Sequence, residues 1–185
     1  MAHFKARPAD LFATPLEHTV PITECDPFVN PSALIESYLF DLIFDPVEGK
    51  LGILFGLVGA LCVPPCGNVG FLVCSNVVEF GWAARGRDRP PAGHFWTVLD
   101  AAFITRDMAP QVVIPPLLGW RPRFQNTSTT FYRYRLLLNP NSALIVSFSD
   151  AKYLVGRQYV AVEDTGTRFS VSKATSWFAA SYWPQ

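Results

Sequence analysis

Charged side chains are scarce in this sequence. Asp, Glu, Lys and Arg make up 16% of its 185 residues, where an ordinary soluble domain carries about 25%. So few charges coat a lone monomer poorly unless neighbouring subunits hide part of its surface, which points to self-association. Histidine is scarcer still, limited to His3, His18 and His94, so a histidine-based catalytic site is thinly supplied. A strongly basic nucleic-acid arm is missing, since 15 basic residues balance 15 acidic ones. There is no P-loop, no G-x-G-x-x-G, no G-x-S-x-G and no internal repeat. Low hydrophobicity and a Gly-X-Y period are also absent, which excludes disordered and collagen-like chains. The opening MAHFKARPADLFATPLEHT lacks the unbroken apolar run of a secretory leader. A non-secreted protein with reduced, buried thiols at Cys25, Cys62, Cys66 and Cys74 is therefore expected.

What the chain does have is hydrophobic residues, at 50%, and 16 prolines. A chain of this length folds as one domain burying roughly 70% of its unfolded surface. Its charge is lopsided, with 8 acidic and 3 basic residues up to Lys50 and 7 acidic and 12 basic beyond it. Residues 85–135 hold 8 of those basic residues, among them Arg85, Arg87, Arg89, Arg121, Arg123, Arg133 and Arg135. Such a face suits phosphate, or equally the acidic first 50 residues of the same or a neighbouring subunit.

Residues 1–17 have no period and read as an extended arm. Thr19 to Glu24 reads as a short strand, and Ser32 to Phe44, with an N-cap at Ser32 and apolar residues near helical spacing, as the clearest helix. The uncharged run from Leu51 to Val78 is long enough to cross a membrane, but Pro64, Pro65, Gly67 and Asn68 divide it. It reads instead as two buried strands joined by a turn. RGRDRPPAG, residues 85–93, is a loop, and HFWTVLDAAFI a strand. QVVIPPLL, with its proline pair, is confined to an edge. FYRYRLLL, ALIVSFS, QYVAVED and RFSVSKATSWF follow as strands, separated by turns at Asn139-Pro140-Asn141, Gly156 and Asp164-Thr165-Gly166. Their number and spacing predict an all-β sandwich, jelly roll or barrel with at most a few short helices.

Candidate chemistry is sparse. Cys62 and Cys66 bracket three residues, but no second Cys or His pair lies nearby to complete a zinc set. Asp100 and Asp107 read as lone solvated or salt-bridged carboxylates rather than an acid–base pair. Asn126-Thr127-Ser128 matches a glycosylation sequon without a secretory route to use it.

The segment APQVVIPPLLGWRPRFQNT, residues 109–127, resembles a stretch of tymovirus coat proteins through Pro110, Val113, Pro116, Leu117, Pro122 and Arg123. NVGFLVCSN, with Val69-Gly70, is similar to the same family's preceding strand. The resemblance implies an eight-stranded antiparallel jelly roll and no enzymatic activity. It also implies an icosahedral shell of quasi-equivalent copies around positive-strand RNA, found in virions and, during assembly, in the host cytoplasm. The continuation FYRYRLLLNPNSA and the aromatic carboxyl end depart from the family pattern.

On this reading residues 1–17 are an arm, 18–176 the shell domain and 177–185 an aromatic tail for subunit contact. His3, Lys5 and Arg7 would touch RNA weakly, with polyamines or metal cations supplying most of the countercharge. Arg85, Arg87, Arg89, Trp120, Pro122, Arg123, Trp177 and Trp183 would meet neighbouring subunits. No cofactor, catalytic residue or membrane is implied. The competing class is a β-barrel ligand binder or enzyme with an apolar cavity behind Leu51 to Val78.

Overall fold

The structure, a computed structural model, describes residues 22–64, 67–84, 96–104, 118–120, 130–139, 142–156, 160–162, 169–171 and 177–184. A single 3-10 turn, Thr23–Cys25, precedes β1 (Tyr38–Asp45), β2 (Lys50–Gly56), β3 (Val69–Ser75) and β4 (Glu79–Ala84). Then come β5 (Trp96–Phe103), β6 (Leu118–Trp120), β7 (Tyr132–Asn139), β8 (Ser142–Phe148) and β9 (Asp150–Gly156). β10 (Val160–Val162), β11 (Phe169–Val171) and β12 (Trp177–Trp183) complete the chain. The described residues are thus nearly all β, and every pairing between strands is antiparallel.

One sheet holds ten strands in the order β12-β9-β3-β2-β1-β5-β7-β8-β4-β6, and β10 and β11 form a separate hairpin. Two pairs of these strands are halves of longer bent strands. β3 pairs with β9 from Val69↔Gly156 to Ser75↔Asp150, and β4 pairs with β8 from Glu79↔Ser147 to Ala84↔Ser142. The ribbon therefore continues through both bends almost without a change of register. Counting each bent strand once, the order β1, β2, β3/β4, β8/β9, β7, β5 returns to β1 through Tyr38↔Thr97 and Leu39↔Trp96. The ladder thus returns to its first strand as an antiparallel barrel, with the β1–β5 seam joined at only those two residue pairs.

The bends have local causes. Asn76 sits at φ 48°, a left-handed conformation that asparagine tolerates better than most residues. Its amide donates to Ser149 Oγ at 2.8 Å and Asp150 Oδ2 at 3.1 Å, stitching one bend to the other. Ser149 Oγ in turn donates to Asp150 Oδ2 at 2.8 Å.

Inside the closed wall, Leu51, Ile53, Phe55, Leu72, Tyr134, Leu136, Phe148, Tyr153 and Val155 form the main core. Outward-facing Ile43, Leu54, Val69, Phe71, Val73 and Leu154 form a second cluster with Trp177. β2, β3 and β9 are consequently buried on both faces, which explains why their sequences read as unbroken apolar runs.

The two buried strands expected between Leu51 and Val78 are β2 and β3, and no helix among the described residues is long and apolar enough to cross a membrane. The strands expected at HFWTVLDAAFI, FYRYRLLL and ALIVSFS are β5, β7 and β8.

Four expectations are corrected. Residues 38–44 of the expected helix lie in β1: Glu36 takes φ 64°, a left-handed conformation that no α-helix continues through. Residues 23 and 24 of the expected first strand lie in a 3-10 turn. Residues 150–156, which the sequence does not mark as a strand, are β9. The tail from Trp177 is β12, hydrogen-bonded to β9 from Trp177↔Gly156 to Trp183↔Ala151. Within the ladder β1, β2 and β3 are a meander of successive neighbours.

Candidate interaction surface

Aromatic and aliphatic side chains line the barrel interior. Phe55, Tyr134, Phe148, Tyr153 and Leu72 are each buried to within 1% of completely and fill it. Among the described residues no three His, Cys, Asp or Glu side chains gather as metal ligands would. A shallow depression of about 310 Å³ lies between Lys50, Val73, Ser75, Lys152, Tyr182 and Trp183. Its charges are already engaged in part, Lys50 with Glu48 at 3.4 Å and Asp150 with Asn76 and Ser149.

Two arginines of the basic region have partners inside the chain. Arg133 donates to Glu79 at 2.7 Å and to Ser147 Oγ at 3.2 Å, and Arg135 donates to Asp100 at 2.8 Å. Register explains this: Ser147 stands opposite both Arg133 and Glu79, and Asp100 lies diagonal to Arg135 across the β5–β7 ladder. Neither partner belongs to the acidic first 50 residues. Asp100 is thus salt-bridged, as expected.

The surface that stands out is the loop between β2 and β3. Leu57 N–H donates to Asn68 C=O at 2.8 Å, Ala60 N–H to Leu57 C=O at 3.0 Å, and Leu61 N–H to Ile35 C=O at 3.0 Å. Gly59 packs so closely on the chain below that a Cβ there would sit 3.0 Å from Glu36 C=O and 3.2 Å from the Tyr38 ring. Leu57 and Ala60 point into the core. That leaves Val58, Leu61 and Val63 facing solvent at 74, 66 and 49% exposure. The Cys62 thiol and the Asn30 amide both donate to Glu24 C=O, at 3.1 and 2.7 Å. This shared acceptor brings the turn that carries Val29, 61% exposed, beside the loop. The result is an apolar rim on a hydrogen-bonded base.

Beneath the Val29 turn lies Asp26, buried and accepting a 2.9 Å bond from Phe28 N–H. Burial pushes its carboxyl above the ordinary value of 3.8, against the opposing pull of Phe28 N–H and the Ser181 hydroxyl. The folded chain therefore holds a proton that the unfolded chain releases, so Asp26 lowers stability as pH rises from 3.8 through its raised value. Asp26→Asn keeps the acceptor for Phe28 N–H and abolishes this titration. Urea unfolding from pH 4 to 8 should show the variant gaining on the wild type as pH rises and then holding a constant lead. A difference independent of pH would refute the assignment.

The residues singled out in the sequence fall as follows. Trp177 is fully buried and stacks on Phe71, with ring centroids 5.4 Å apart and planes 10° apart. Trp183 meets Phe103 at 4.4 Å and Tyr132 at 5.4 Å. Both rings are engaged in the chain's own packing. Trp120 ends β6 at the sheet edge, opposite Phe80. His3, Lys5, Arg7, Arg85, Arg87, Arg89, Pro122, Arg123 and Asp107 lie outside the described residues.

The apolar rim was not singled out in the sequence. Its letters merge with the β2 run, and only Gly59 and Pro64 mark where a buried strand gives way to an exposed loop. No protein-family model matches the chain and no curated protein is similar to it.

Proposed function

We propose that the chain is a structural subunit that binds copies of itself and builds a closed icosahedral coat around positive-strand RNA. The observation that carries the reading is the apolar rim of Val58, Leu61 and Val63, with Val29 beside it, held rigidly by backbone hydrogen bonds. Exposed valines and leucines clustered on a fixed base are costly in water and gain by meeting a like surface. A charge content of 16% supports the same conclusion. The proposal rests on this surface and not on strand order.

In this reading the coat subunit has no catalytic role. Weak, sequence-independent contact with RNA falls to His3, Lys5 and Arg7, and polyamines or metal cations neutralise most of the genome. The virion and the host cytoplasm are where it would be found. The rival class, a ligand binder or enzyme using an apolar barrel cavity, is disfavoured by the aromatic side chains that occupy that interior.

Sedimentation velocity and electron microscopy of the purified chain, with and without RNA, test the proposal. The wild type should form large closed particles at high concentration. Val58→Lys combined with Leu61→Lys should remain monomeric with an unchanged unfolding midpoint, because both side chains are already exposed. A wild type that is monomeric under every condition, or a double variant that assembles equally well, would overturn it.

A further inference from the structure

We infer that Cys25 and Cys62 form a reversible disulfide that clamps the β2–β3 loop to the amino-terminal 3-10 turn. Their Sγ atoms lie 2.7 Å apart although 37 positions separate them in sequence. A disulfide bond is about 2.05 Å long, so closure needs a movement of well under 1 Å. The backbone on both sides is already fixed. Cys25 N–H donates to Ile22 C=O at 2.8 Å, and on the loop side Leu61 N–H donates to Ile35 C=O at 3.0 Å.

Accessibility gives the chemistry an order. Cys25 is buried and Cys62 is half-buried, so an external oxidant meets Cys62 first. With glutathione disulfide as oxidant, the Cys62 thiolate attacks one of its sulfurs. An S–S bond to Cys62 forms, the glutathione S–S bond breaks, and one glutathione thiolate leaves. The Cys25 thiolate then attacks Cys62 Sγ and expels the second. Two thiol protons are released, the two cysteines lose two electrons, and glutathione disulfide gains them. Cys74 stays out of this exchange: it is completely buried in the main core, and burial pushes its thiol far from ionisation.

The bond would close a ring of roughly 40 residues and restrict the unfolded chain accordingly. It lies beneath the rim proposed for self-association but does not depend on that reading. It is therefore tested on dilute, dispersed chain, where assembly plays no part.

The full-length protein is equilibrated in glutathione buffers from reducing to oxidising. Linkages are then read by tandem mass spectrometry of non-reduced peptides, and stability by thermal unfolding. The wild type and Cys66→Ser should both acquire a Cys25–Cys62 link. Oxidation should raise the unfolding temperature of each by roughly 5–15 °C. Cys62→Ser should unfold at one temperature in all buffers. Failure of the wild type to link under oxidising glutathione, linkage through Cys66 instead, or a link with no thermal shift would each overturn the inference.

Discussion

Alanine at Gly70 is expected to destabilise the fold by about 3 kcal/mol or more, the upper end of the cost of overfilling a core. Gly70 lies inside β3, paired with Phe55 on β2 and Val155 on β9. Its missing side chain is replaced by the Tyr153 ring, which lies over the glycine from the adjacent strand. A Cβ added there would overlap the Tyr153 hydroxyl and come within 2.8 and 2.9 Å of two of its ring carbons. Tyr153 cannot swing aside, because it is 1% exposed and packed within the main core. An aromatic ring covering a strand glycine is a recurrent way of pinning register in curved sheets. The diagnostic measurement is a double-variant cycle by urea unfolding. Tyr153→Leu opens space beside Gly70, so Gly70→Ala should cost at least 1 kcal/mol less in that background than in the wild type. Costs that simply add would show that the ring does not occupy the glycine's place.

The same pair shows what could be read from the sequence and what could not. KLGILFG and VGFLVCS were legible as strands because prolines and glycines split a run too short, on either side, to span a membrane. Their unbroken rather than alternating apolar character fits cover on both faces, but does not say which residues supply it. Barrel closure was less visible still. It depends on bends at Asn76 and Ser149, residues that in sequence signal only a turn between separate strands. The misread helix fails for a comparable reason. Leu34, Tyr38 and Ile43 sit near helical spacing, but Asn30 Oδ1 accepts from Ser32 N–H at 3.0 Å and the Ser37 hydroxyl donates to Leu34 C=O at 2.6 Å. Those bonds hold a succession of turns in which Glu36 turns left-handed. No residue type at position 36 announces that, and the pairing of β1 with β2 and β5 then decides the matter. Local propensity is weak beside a ladder of this extent.

The apolar rim was hidden by the opposite problem. Val58, Leu61 and Val63 are chemically indistinguishable from the strand residues before them, and only the tight loop geometry turns them outward. Composition had already announced a surface short of charge. It could not say where on the surface the shortage is concentrated.

Trp177→Ala is expected to cost about 3–5 kcal/mol, the usual range for removing a buried tryptophan. That is a large share of the roughly 5–15 kcal/mol that holds a domain together. Trp177 is fully buried at the start of β12, opposite Gly156, and its ring stacks on Phe71 in the cluster outside the barrel wall. Deleting it leaves a void beside Leu54, Val69, Phe71 and Leu154 and loosens the strand at the edge of the sheet. Its indole N–H has no hydrogen-bond acceptor among the described residues, so phenylalanine should serve better than its smaller volume implies. Trp177→Phe keeps an aromatic ring against Phe71 and removes the unsatisfied donor, and it should recover most of the loss. The pair of variants also separates the two roles open to this residue. As a packing residue, Trp177 governs the unfolding midpoint of the dispersed chain. As the subunit contact expected from the sequence, it would leave that midpoint unchanged on replacement by alanine and weaken assembly instead. Denaturant unfolding of both variants at low protein concentration, set beside their sedimentation at high concentration, decides between them.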